Sequence, residues 1–241
     1  MLKQAIGIIA AVMLTTPAWA ITFGNSGSAL QDVLDSVATD GANDVSVNDY
    51  ISDELDSHWQ IGGSGGSIST IIVELASFAP NNTFGIYDHV TMQSVELFSG
   101  SDTAGDQVLV SILDDGSVKV NFADTGIDFN SNSFNFYLDS SANNGGGLFY
   151  SDTDLNADGV DHMAAYQGVG ETIKIDPYAA GPWGANEYIL AWEDLNTGGD
   201  RDYTDFVVLV ESVSPVPEPA SLALLGMGLL GLTFARRNRK A

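Results

Sequence analysis

The chain has 241 residues, 44% hydrophobic and 10% aromatic, with 32 acidic against 8 basic residues and a net charge of −24. That apolar content is too high for a disordered acidic chain, and that charge has the wrong sign for a nucleic-acid partner. Cysteine is absent, which excludes both a disulfide framework and a thiol nucleophile.

The N-terminus reads "MLKQAIGIIAAVMLTTPAWA". Lys3, an apolar run over 5–14 and Ala18-Trp19-Ala20 have the layout of a secretory signal peptide cleaved after an A-x-A site, Ala18 and Ala20. Residues 1–20 are therefore expected to be removed on export. An uncleaved anchor fits less well, since a span needs about 20 apolar residues.

Residues 21–67 read as an N-terminal lead-in region. "SALQDVLDSVAT" sets Leu30, Val33, Leu34 and Val37 at helical spacing, with Ser28 as candidate N-cap. "GGSGGS", residues 62–67, reads as a flexible joint. Gly62, Ser64 and Gly66 also match G-x-S-x-G, but a β-branched stretch follows where a nucleophile elbow needs a helix.

Residues 68–212 predict one all-β domain, an antiparallel β-sandwich of jelly-roll-like form. "SISTIIVELA", "TFGIYD", "QSVELFS", "DQVLVSILDDG", "SVKVNFA", "SFNFYLDS", "GGLFYSD", "HMAAYQ", "TIKIDP", "EYILAWED" and "DFVVLVES" are rich in Val, Ile, Phe and Tyr, with turn residues between them. Asp115-Gly116 is a hairpin signal.

Residues 213–241 read as a linker and a sorting tail: a single hydrophobic helix over 221–235, then a basic tail over 236–240. At about 1.5 Å per residue, the apolar run over 222–235 spans about 21 Å of a bilayer core about 30 Å thick. Gly226, Gly228 and Gly231 spell G-x-G-x-x-G but follow no strand, so they carry no nucleotide reading. Val216-Pro217-Glu218-Pro219, the apolar helix and the Arg-rich end together resemble the PEP-CTERM sorting signal of Gram-negative bacteria, with Pro217, Glu218 and Pro219 as its motif. The resemblance implies processing by an exosortase-type membrane enzyme and transient inner-membrane insertion through the C-terminal helix. It also implies delivery to the cell surface or an extracellular matrix, with exopolysaccharide as an associated partner.

Between the two ends, 31 acidic residues face Lys119, Lys174 and Arg201, a balance of −28. A chain so charged repels itself unless it recruits cations. "DTDLNADGVDH", residues 152–162, places Asp154, Asn156, Asp158 and Gly159 at positions 1, 3, 5 and 6 of an EF-type loop. Ala165 stands at the twelfth position, so the bidentate glutamate is missing and the loop is not an EF-hand. Asp152 and Asp161 are the nearest further ligands for calcium. The bland reading is a solvated turn, which Asp, Asn and Gly favour anyway.

A second acidic loop, "WEDLNTGGDRDYTDF", carries Glu193, Asp194, Asp200, Asp202 and Asp205 around Gly198-Gly199, with only Arg201 to neutralise them. If both loops meet at one edge of the sandwich, Asp158 and Asp200 would share one cation site. "FGIYD", "FYL", "LNADGVDHMAAY" and "YILAWEDLNTGGDRDYTDFVVLV" together resemble a bacterial secreted domain family of unknown function, family four-one-one-four, over about residues 82–210. The resemblance implies a β-rich surface module with calcium sites and no established activity. Thr204 departs from the Asn usual at its position. His162 falls on the family's recurrent histidine and reads as a donor that holds a carboxylate behind the metal ligands. His58 and His89 have no partner pattern.

Catalysis finds little support. There is no H-E-x-x-H, and three scattered histidines argue against zinc. Glu171 and Glu193 could form a glycosidase pair only at a separation that sequence does not set. Sugar stacking has candidates in Trp59, Tyr166, Tyr178 and Trp183, the last two in the loop "DPYAAGPWGANEY". The expected function is a non-enzymatic, calcium-stabilised secreted protein of the cell surface or matrix. A carbohydrate-binding module is the alternative, and a glycoside hydrolase comes third.

Overall fold

The structure, a computed structural model, describes residues 21–62, 67–73 and 79–216, with 67–73 described as backbone. The expected signal peptide, Ser64 and Gly66 of the G-x-S-x-G match, and the sorting tail from Pro217 lie outside the described residues. Among the described residues no helix is long and apolar enough to cross a membrane.

Among the described residues two α-helices, α1 (Ser28–Val37) and α2 (Asp53–Asp56), precede fifteen strands. These are β1 (Trp59–Ile61), β2 (Ser67–Val73), β3 (Thr83–Tyr87), β4 (Ser94–Ser99), β5 (Gln107–Ile112), β6 (Ser117–Val120), β7 (Ala123–Asp128) and β8 (Ser133–Asp139). There follow β9 (Leu148–Tyr150), β10 (Met163–Gln167), β11 (Thr172–Ile173), β12 (Gly181–Pro182), β13 (Glu187–Trp192), β14 (Phe206–Glu211) and β15 (Val213–Pro215). One sheet runs β15-β1-β8-β3-β4, with β9 also paired to β8; the other runs β10-β13-β14-β2-β5-β6-β7. All pairings within them are antiparallel. β11 and β12 form a separate ribbon. This is the antiparallel sandwich that the strand spacing predicts. Asp115-Gly116 turns β5 into β6, with Gly116 at φ +93°.

The sheets pack through alternate residues. Met163 and Ala165 on β10, Tyr188, Leu190 and Trp192 on β13, and Phe206, Val208 and Val210 on β14 face the interior. Phe84 stands at its centre, with ring centroids 5.0 Å from Phe206, 5.6 Å from Phe136 and 6.0 Å from Trp192.

The intervening residues of the same strands are apolar too, and equally buried. Ala164, Tyr166, Ile189, Ala191, Val207 and Leu209 form a second core on the outer face of this sheet. A sheet hydrophobic on both faces needs cover on both. The N-terminal segment supplies it: Leu30, Leu34 and Val37 of α1, with Val45 and Val47, close over that face. The residues read as a lead-in thus form a third layer, and β1 inserts between β15 and β8. The α1 N-cap is Gly27, in the left-handed region, and Ser28 is already helical.

The third layer is expected to fold with the sandwich. Leu34→Ala should lower the unfolding free energy by about 2–5 kcal/mol, the range for a buried Leu truncation. Denaturant unfolding followed by tryptophan emission measures this. An unchanged midpoint would show that α1 adds nothing to the sandwich.

Candidate metal centre

The register of β13 on β14 builds the centre. Trp192 pairs with Phe206, and the Asp205 N–H donates to the Trp192 carbonyl at 3.2 Å. One step beyond the paired strands, Glu193 and Asp205 therefore stand opposite each other, a placement that repels when both are charged. The Asp194 N–H donates to Asp205 Oδ2 at 3.0 Å, and Asn82 Nδ2 donates to Asp194 Oδ2 at 2.9 Å.

The loop joining the two strands folds back over this pair. Thr197, Gly198, Gly199, Arg201 and Tyr203 all take positive φ, a region that side chains with a Cβ disfavour. Gly199 is required there, because a Cβ would strike Glu193 Oε1. The turn delivers Asp200 and Asp202 to the same place. Glu193, Asp200 and Asp202 each offer an oxygen within 4.8 Å of the others, and so do Glu193, Asp194 and Asp205. Glu193 belongs to both groups.

Glu193 is 0% exposed, and neither carboxylate oxygen meets a hydrogen-bond donor. Asp205 lies within hydrogen-bonding reach, but two ionised carboxylates cannot bond without a proton or cation between them. Burial, then the Asp205 charge, pushes the Glu193 carboxyl up to about 9. Burial also pushes Asp205 up to about 7, with the Asp194 charge adding to it. Asp194 is raised by burial and by Asp200 and Asp202, against the opposing bond from Asn82. The donor set is all oxygen, with no thiolate or imidazole, which suits a hard cation such as calcium or magnesium.

The first acidic loop is arranged differently. Asp152 Oδ1 accepts from the Asp154 N–H at 3.2 Å. Asn156 bonds the Tyr150 N–H, the Tyr150 carbonyl and the Val160 carbonyl at 2.7, 3.1 and 2.9 Å. Asp158 accepts from the N–H groups of Val160 and Thr197 at 3.1 and 2.6 Å, and Asp161 Oδ1 from the Met163 N–H at 3.0 Å. Apart from the Thr197 bond, these side chains hold the turn's own backbone. Among the described residues none of Asp152, Asp154, Asp158 and Asp161 joins a group of three ligating side chains at the spacing above.

The two loops do meet, through Thr197 on Asp158 and through His162. This buried ring faces Asp158 Oδ2 with Nε2 at 3.0 Å and the Glu193 carbonyl with Nδ1 at 2.9 Å, and stacks on Phe149 at 3.7 Å. It holds a carboxylate and fixes the backbone of Glu193. The gathered carboxylates, however, all come from the second loop, so Asp158 and Asp200 do not share one group.

Burial separates the four sugar-stacking candidates. Trp183, Trp59 and Tyr166 are each 0% exposed, and the Trp183 indole N–H donates to the Glu187 carbonyl, so no ring face is open to a sugar. Tyr178 alone of the four remains at the surface, 37% exposed. Asn82 is the residue that sequence reasoning misses: it lies 112 positions from Asp194, and no local pattern marks it.

With no cation bound, stability should fall as pH rises. A carboxyl raised when folded is favoured protonated, so its stabilisation is complete below its ordinary value of about 4.5 and is lost as pH passes about 9. Chelated protein should therefore lose up to about 1.4 kcal/mol per pH unit from Glu193 within this window. Glu193→Gln, which cannot ionise, should flatten that slope in melts taken from pH 5 to 9. Equal slopes would place the repulsion elsewhere.

The family described as Domain of unknown function (DUF4114) matches residues 103–213, and the PEP-CTERM protein-sorting motif matches residues 215–240. No curated protein matches the chain. The sorting motif implies an extracytoplasmic protein processed by an exosortase-type system. Both acidic loops and the gathered carboxylates fall within the residues that match DUF4114, ahead of the residues that match the PEP-CTERM sorting motif.

Proposed function

We propose that the protein is a non-enzymatic, calcium-stabilised component of the cell surface or extracellular matrix of a Gram-negative bacterium, working beside exopolysaccharide. One observation carries the calcium reading: Glu193 is fully buried among four other carboxylates with both oxygens unpartnered. A buried charge of this kind is tolerated only with a counter-ion or a proton. Among the described residues the ion pairs are His162–Asp158 and Lys174–Asp176, so no basic side chain serves Glu193. Calcium accepts six to eight oxygens in flexible geometry, and extracellular modules bind it at about 10⁻⁴–10⁻³ M.

The non-catalytic reading has its own support. Glu193 is sealed beneath Gly199, away from any substrate. Glu171 Oε2 accepts from the Asp44 N–H at 2.8 Å, which ties that carboxylate to the N-terminal segment.

Calcium should raise the melting temperature of the protein, and chelator should lower it. At a hundredfold excess over Kd one site adds about 2.7 kcal/mol. For a domain of this size that corresponds to about 5–10 °C. Glu193→Gln should lose most of this increment. A wild-type melt indifferent to chelator would overturn the calcium reading.

A further inference from the structure

No spacing pattern links His58 and His89, but the first sheet brings them together. β8 lies between β1 and β3, with Trp59 paired to Phe134 and Tyr87 paired to Asn135. His58 stands one residue before Trp59, and His89 stands two residues past Tyr87. Their rings meet with centroids 4.8 Å apart and planes tilted at 48°. That tilt is neither the offset stack nor the edge-to-face contact that aromatic pairs prefer.

The His58 ring is held from behind. Asn135, 0% exposed, donates from Nδ2 to the Tyr87 hydroxyl at 3.0 Å, which turns its Oδ1 toward His58 Nδ1 at 2.8 Å. An amide oxygen only accepts, so Nδ1 carries the proton and Nε2 keeps its lone pair. Metal-ligating histidines are oriented in this way by a carbonyl or carboxylate on their other nitrogen. The backbone is fixed as well, since the Val216 N–H donates to the His58 carbonyl at 2.8 Å. His89 lies exposed on the turn after β3. Asp88 anchors that turn by accepting from the Val90 and Asn130 N–H groups and the Thr91 hydroxyl at 3.0, 2.8 and 2.9 Å.

The ring separation suits a shared ion. An imidazole nitrogen binds zinc at about 2.0–2.1 Å, which sets the ring centre about 3.2 Å from the metal. Two rings on one ion at about 90–110° then have centres about 4.5–5.2 Å apart. The observed 4.8 Å falls inside that range.

We propose that His58 and His89 form a two-imidazole surface site for a borderline divalent metal of the zinc, nickel and copper(II) class. Imidazole suits these ions, whereas calcium takes oxygen. The site therefore differs from the Glu193 centre in ligand type as well as place, and it does not depend on the calcium reading. Among the described residues neither histidine joins a group of three ligating side chains, so water fills the remaining positions. His162 does not compete, because it is buried with both ring nitrogens engaged.

Copper(II) titration of the full-length protein in millimolar calcium, followed by electron paramagnetic resonance, tests this. Wild type should bind copper with hyperfine coupling to two imidazole nitrogens. His58→Gln and His89→Gln should each weaken that binding at least about tenfold and lose the two-nitrogen signal. Glu193→Gln should leave both unchanged. Should His58→Gln fail to fold for want of its Asn135 bond, His89→Gln at the exposed turn decides alone. A ring contact without metal affinity would leave wild type with no two-nitrogen signal, which overturns the proposal. Copper binding that survives His89→Gln unchanged overturns it as well.

Discussion

Pairing of Trp192 with Phe206 governs the core, the covering layer and the carboxylate centre alike. That register turns Trp192, Phe206 and their alternates into the sandwich and turns Ala191 and Val207 outward. It thereby demands a covering layer, which the first thirty residues of the described chain supply. It also sets Glu193 opposite Asp205 just past the strand ends, where the return of the loop buries them. A slip of one residue would exchange the two faces and part the two carboxylates.

The centre is unfavourable by itself. Two carboxylates face each other, Glu193 with no donor on either oxygen, beneath a loop with three non-glycine residues at positive φ. Backbone of this kind persists only when its surroundings over-determine it. His162 is one such restraint, since it ties the Glu193 carbonyl to Asp158. A cation would supply the other by turning mutual repulsion into shared ligation. The absence of disulfides gives such an ion a structural task, because an exported domain without them has few other staples.

Much of the fold is legible in the sequence. Runs such as "YILAW" and "FVVLV" announce strands, and α1 shows its apolar stripe. The short or edge strands are not legible: β1 has three residues, β15 ends in Pro215, and β7 reads "ADTGID", mostly exposed with no apolar alternation. The third layer is half legible. Unbroken apolar runs signal burial on both faces, but nothing local says which segment provides the cover. For the site, charge density picks out both acidic loops, whereas convergence depends on register and on long-range partners such as Asn82. In "DTDLNADGVDH" the ligand-like spacing serves the turn itself, since Asn156 and Asp158 bond neighbouring backbone groups.

On the calcium reading, the charge buried at Glu193 is balanced by a proton in the free protein and by calcium in the bound one. Calorimetric titration with calcium at pH 7, repeated in buffers of different ionisation enthalpy, measures the protons released on binding. With Glu193 at about 9 and Asp205 at about 7 beforehand, roughly one to two protons should leave per ion bound at that centre. Calcium binding without proton release, or no binding at all, would contradict this exchange.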